Sequence, residues 1–209
     1  MRCILLAGRS APVVFTTLFL ALLLNPVVAD ARDDGFKELK RTREGITISR
    51  KAGRTKGFYV VRFDYTIQVA PEKLVEKLWE GFFTHHPPVQ ERRFLKREAA
   101  DIVFYDKVKT PVVSDRDYTM RIRRVTSGDV RRLEFQTTTE FGPPPDPAYV
   151  RMPYVKGFWQ VTPGPDGGSI VRYEVYSEPG GSIPAFVIRE PQVDEALKDF
   201  RRAMSDARK

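Results

Sequence analysis

The side chains suited to bond-making chemistry are few in this chain. His85 and His86 are its two histidines, and they are adjacent. Neighbouring side chains rarely close on one metal, and the pair lacks the i, i+4 spacing that places two ligands on one helix face. They are expected on a surface loop with no metal bound, and a Ser/His/Asp triad has little support. Asp64, Asp106 and Glu174 are carboxylates that no sequence pattern pairs for acid–base work. Arg116 and Asp117 are expected as a structural ion pair at a strand entrance. Cys3 is the single cysteine and lies ahead of an apolar run, so a processed chain has no disulfide, thiol nucleophile or cysteine metal site. No catalytic residue and no cofactor are expected.

What remains is the chemistry of keeping apolar matter out of water. Phe63, Tyr65, Phe104, Tyr118, Met120, Phe135, Met152, Trp159, Tyr173, Phe186, Leu197 and Phe200 put aromatic rings, Met and Leu on one face of nearly every expected strand and on the last helix. Each could line a cavity or fill a solid core. Tyr118 and Tyr173 add hydroxyls that need partners, which suits a mostly apolar pocket with a few polar points. Each methylene kept from water is worth about 0.8 kcal/mol, so a 16-carbon chain crossing water faces a penalty on the order of 10 kcal/mol. A dry lumen removes most of it.

The elements that must position these residues are legible from periodicity. Val61, Phe63, Tyr65, Ile67 and Val69 alternate with Arg62, Asp64, Thr66 and Gln68, a strand over 58–69. Pro71 opens a helix whose Leu74, Val75, Leu78, Trp79 and Phe82 share a face. Strands are expected at 94–98, 102–108, 116–126, 130–140, 149–161 and 170–177, with turns at Gly128-Asp129 and at Asp166-Gly167-Gly168. Phe36 to Arg43 reads as a short helix, and Ile46 and Ile48 begin a strand that turns near Gly53. Gly180 and Gly181 permit positive φ, so the chain reverses there and enters a helix capped by Ser182, with Pro184 in its first turn. Val193, Leu197, Phe200 and Met204 recur at spacings of four, three and four, a helical stripe. Short turns make the sheet antiparallel, and the class is α+β.

The 209 residues leave room for one domain, read as 33–209, plus a short extension. Arg2 and Arg9, an apolar run from Ala11 to Leu24 and the small residues near Ala29 form the three-part pattern of a signal peptide over residues 1–29, with an uncleaved anchor as the alternative. A periplasmic or secreted location is expected. The formal net charge is +8, and removing residues 1–29 takes away two arginines and no acid, leaving +6. For an exported basic protein, anionic lipid headgroups are the expected transient partner. Nucleic acid is disfavoured. Arg121, Arg123, Arg124, Arg131 and Arg132, with Arg92-Arg93 and Lys96-Arg97, are either a solvated face or such a dock.

Three segments, in order, carry a resemblance. Asp115-Arg116-Asp117-Tyr118, then Val150-Arg151-Met152 through Gly157-Phe158-Trp159 to Pro163, then Tyr173 followed by Glu178-Pro179-Gly180-Gly181-Ser182-Ile183-Pro184, resemble the START lipid-transfer domains, specifically the soluble single-domain bacterial members. The likeness spans roughly Gly45 to Met204. It implies a helix-grip fold, a curved antiparallel sheet wrapped around a long C-terminal helix that closes an internal cavity. It also implies non-covalent binding or transfer of one lipid or other hydrophobic small molecule. A monomer is expected. Sterol-binding members pair an acidic and a basic side chain inside the cavity. Here Tyr118, Met120 and Ile122 are the inward positions, with Ile102 or Val103 near the partner site, which leaves acyl lipids open beside sterols. The resemblance places an Ω-shaped loop at Pro111, Val112 and Val113 as the cavity mouth, and the stiff loop Gly142 to Pro147 is a second candidate gate. Polyketide aromatase/cyclases of the same superfamily supply the enzymatic alternative.

Overall fold

The computed structural model describes residues 34–110, 113–181 and 185–209, with the side chains of 185–191 outside the description. The expected leader, the Ser182 cap, Pro184, Pro111, Val112 and the Phe186 side chain therefore lie outside the described residues. The described unit runs from Gly35 to Lys209.

The strands are β1 (Lys37–Arg41), β2 (Thr47–Ala52), β3 (Tyr59–Ile67), β4 (Val89–Arg97), β5 (Asp101–Val108), β6 (Arg116–Ser127), β7 (Val130–Thr137), β8 (Val150–Arg151), β9 (Tyr154–Pro163) and β10 (Ser169–Glu178). Helix α1 (Pro71–Gly81) follows β3, and α2 (Ala185–Ala207) ends the chain. One sheet runs in the order β1-β2-β3-β10-β9-β7-β6-β5-β4, and β8 pairs parallel with β6 off that path. Every other pairing is antiparallel. This is the expected α+β helix-grip arrangement, with a large antiparallel sheet and a C-terminal helix.

Two local expectations change. Residues 37–41 form an edge strand rather than a helix, although Lys, Glu and Leu favour helix. Their backbone hydrogen bonds to β2, through a register shift between Glu38 and Lys40, override propensity. All five side chains are exposed, and lysines on an edge discourage further strand pairing. The single strand expected over 149–161 is broken at Met152-Pro153, since proline has no N–H to offer a ladder.

The stripe on α2 is buried as its spacing requires: Val193, Leu197, Phe200 and Met204 are all buried, and Ala207 extends it. Phe200 is fully buried and stacks on Phe63 at 5.4 Å and Trp159 at 5.5 Å between ring centroids. That stack anchors the helix to β3 and β9. Gly180 and Gly181 have φ of +72° and +69°, a conformation that would strain a Cβ-bearing residue, and they turn β10 back toward α2.

Candidate functional site

Alternation on the curved sheet aims one face of each strand beneath α2. Phe104 from β5, Tyr118, Met120 and Ile122 from β6, Phe135 from β7, Trp159 from β9 and Tyr173 from β10 line a cavity of about 460 Å³. Met152, between β8 and β9, closes one side. Gln192, Glu195, Ala196 and Asp199 of α2 form the roof. A second lobe of about 340 Å³ shares Phe82, Arg92, Tyr118, Trp159, Tyr173 and Asp199 with the first. Its rim includes Thr84 to Val89 and, on α2, Arg202, Ala203 and Asp206. Small-molecule cavities run from roughly 300 to 1,000 Å³, so each lobe alone falls in that range. Gly157 shapes the floor: a Cβ there would meet Glu174 O at 2.2 Å and Phe135 Cζ at 2.4 Å, so glycine lets the Phe135 ring lie across β9.

Of the residues picked out in sequence, Phe104, Tyr118, Met120, Phe135, Met152, Trp159 and Tyr173 meet at this cavity. Phe63, Tyr65, Leu197 and Phe200 do not line it. Phe63 and Phe200 face each other within the core, Leu197 is buried beside them, and Tyr65 packs edge-on against Phe200 with its hydroxyl accepting from Arg208 at 2.6 Å. These four anchor α2 to the sheet. Of the proposed mouth only Val113 is described, and it is exposed. His85 and His86 are exposed on the rim of the second lobe.

A polar node in the wall was missed by sequence reasoning. Arg92 and Asp106 are opposite each other in the β4–β5 register. Arg92 Nε donates to Asp106 Oδ1 at 2.8 Å and Nη2 to Oδ2 at 2.6 Å, a bidentate pair. The Tyr118 hydroxyl donates to the same Oδ2 at 2.9 Å. Arg92 Nη1 donates to Phe82 O and Thr84 O, both at 2.9 Å, tying the chain after α1 to the sheet. Its guanidinium lies 3.9 Å from the Phe104 ring centroid. Arg92 is thus turned inward and neutralised, not part of a surface basic group. Burial, with the Asp106 charge beside it, pushes the Tyr118 phenol well above its usual range, so it stays a neutral donor. The Asp199 side chain is 57% exposed, but toward the lumen and its rim. The surrounding protein holds its carboxyl above the usual carboxylate range.

The expected Arg116–Asp117 pair does not form, because consecutive strand residues point to opposite faces. Arg116 is buried on the α2 side, where it donates to Ser114 O and, at 3.5 Å, to Pro179 O beside the Gly180-Gly181 turn. Burial lowers its affinity for its proton. Asp117 is fully buried on the other face and takes Arg151 bidentately at 2.7 and 2.8 Å and Tyr105 Oη at 2.8 Å. Burial raises the Asp117 carboxyl, and the Arg151 and Tyr105 hydrogen bonds outweigh it, leaving it below its usual range. Arg151 also donates to Pro143 O and Pro144 O at 3.3 Å. The proline-rich loop is therefore held on the outer face of the sheet, away from the cavity, and is not a gate. Of the arginine-rich hairpin, Arg124 and Arg131 are ion-paired with Glu76 and Glu72 of α1, and Arg121 with Asp101 and Glu140.

No family model matches the chain. An uncharacterized protein of Pseudomonas aeruginosa is 32% identical over 123 residues, which cover 57% of this chain and 59% of the relative. The match thus spans less than two thirds of that relative's length. Among solved structures, a StAR-related lipid transfer protein of Xanthomonas axonopodis superposes with a TM-score of 0.72 at 23% identity, covering 84% of this chain and all of that one. Human STARD10 gives 0.69 at 18% identity, over 83% of this chain and 73% of its own. Human StAR-related lipid transfer protein 5 gives 0.62 at 14% identity, over 84% of each chain. With an apolar cavity roofed by a C-terminal helix and these structural neighbours, the chain has the fold of the StAR-related lipid transfer domains.

Proposed function

We propose that this protein holds one hydrophobic molecule in the two-lobed cavity beneath α2, without a covalent step, and carries it between membranes from an exported location. The observation that carries this reading is the cavity itself: about 460 Å³ walled by Phe104, Met120, Ile122, Phe135, Met152 and Trp159. Burying an acyl chain there replaces water by hydrocarbon at about 0.8 kcal/mol per methylene. A bilayer offers the same gain, so exchange between the two is near balance and release needs no chemical energy. The StAR-related lipid transfer protein of Xanthomonas axonopodis and human StAR-related lipid transfer protein 5, which share the fold, support a carrier role.

The test is native mass spectrometry of the purified protein, followed by organic extraction and mass analysis of what is released. A stoichiometric hydrophobic molecule is expected. Ala196→Trp, which projects a large ring from α2 into the lumen, should give folded protein without that molecule. An empty wild-type protein that also fails to take up lipid from liposomes would end this reading.

A further inference from the structure

Tyr118, Tyr173 and Asp199 line both lobes and so stand at the neck between them. Tyr173 is 9% exposed, with its ring stacked 4.1 Å from Trp159. Its hydroxyl has no hydrogen-bond partner among the described residues. It is also absent from the sealed orphan atoms, which are Thr119 Oγ1, Arg124 Nε and Arg132 Nε. The Tyr173 hydroxyl therefore opens onto the lumen. An apolar occupant that displaces water from the neck would leave this hydroxyl unpaired, at about 1–3 kcal/mol, whereas an occupant that hydrogen-bonds to it avoids that loss.

The charge around the neck limits what that occupant carries. Arg92 is fully matched by Asp106. Glu195 and Asp199 meet Lys198 and Arg202 at 2.6 and 2.5 Å, and those cations stand well exposed on α2. Among the described wall residues, then, every cation already has a carboxylate, and the Asp199 carboxylate borders the neck. A phosphate or carboxylate head placed there would face the Asp199 carboxylate, and the nearest cations, Arg92 and Arg202, are already ion-paired. Burial first, and the Asp199 charge after it, disfavour ionising the Tyr118 and Tyr173 phenols, so both remain donors.

We infer that the neck recognises an uncharged lipid through a hydroxyl, which accepts from Tyr173 Oη and donates to Asp199. This rests on the cavity holding a hydrophobic ligand, as proposed above. The test is a set of probes with one tail and different heads, 1-hexadecanol, hexadecanoate and hexadecane, delivered to the protein from cyclodextrin at pH 8 and corrected for each probe's affinity for the cyclodextrin. Hexadecanol should bind at least about tenfold tighter than hexadecanoate, the penalty of one uncompensated charge screened by the open neck. Tyr173→Phe should weaken hexadecanol about fivefold, one hydrogen bond, while hexadecane is unchanged. Asp199→Asn should narrow the gap between alcohol and acid. Hexadecanoate binding as well as hexadecanol, or both variants keeping wild-type selectivity, overturns the inference and leaves the carrier reading standing if hexadecane binds. Failure of all three probes to bind overturns both.

Discussion

Removing Asp106 is the sharpest test of how the cavity wall is held. Its side chain is fully buried, that of Arg92 is 10% exposed, and their nearest contact is 2.6 Å. At an effective dielectric constant near 20 a unit charge pair at about 4 Å is worth roughly 4 kcal/mol. Breaking a buried pair from one side costs about 3–5 kcal/mol, because the surviving charge is stranded. Asp106→Leu should therefore lose about 4 kcal/mol, which also includes the lost acceptor of the Tyr118 hydroxyl. Arg92→Met should lose a similar amount, part of it from Phe82 O and Thr84 O, whose carbonyls water can partly satisfy. In the double variant no charge is stranded, so the loss should fall to about 1–2 kcal/mol. Urea unfolding followed by the fluorescence of Trp79 and Trp159 measures all three. The m-value should be constant and the midpoints should shift. Single losses below about 1 kcal/mol, or additivity within about 0.5 kcal/mol, would refute the account of a coupled buried pair.

Three further outcomes follow from the geometry. Gly157→Ala drives a Cβ into Glu174 O and the Phe135 ring, so it should cost about 1–3 kcal/mol by thermal or urea unfolding; a neutral result would mean that β9 shifts freely. Arg151→Met should release residues 142–148 from the outer face, seen as faster amide exchange in that loop with the ligand content unchanged; unchanged exchange would show that Arg151 does not hold it. Asp101 and Glu178 both titrate at about 2, held down chiefly by hydrogen bonds from Arg121 and Arg54. Depressed carboxyls contribute stability above their unfolded values near 4, and it is lost as pH falls toward 2. Asp199 acts in the opposite sense, its raised carboxyl favouring the fold once protonated. Unfolding midpoints measured from pH 6 to 2 should therefore fall most steeply below about pH 4.5, and Glu178→Gln should flatten that slope. An unchanged slope in that variant would remove Glu178 from the explanation.

The sequence alone determined the periodic features, because period 2 and period 3.6 are properties of the local chain. Alternation put Tyr118, Met120 and Ile122 on one face of β6, and the stripe from Val193 to Met204 marked the buried side of α2. Pro71 marked a helix start, and Gly180-Gly181 marked the reversal before α2. Alternation also implied that Arg116 and Asp117 point apart, an implication that reading them as a pair overlooked. Tertiary structure decided everything that depends on which residues meet. Face does not distinguish a cavity wall from a core, so Phe63 and Phe200 could be sorted from Phe104 and Tyr173 only by where the curved sheet closes on α2. Arg92 meets Asp106 through a strand register that no local pattern encodes. The 37–41 segment is a strand because an edge of β2 was there to pair with, against its own propensity. Local spacing sets direction; contact across the sheet sets identity of partner, because that depends on register, curvature and burial.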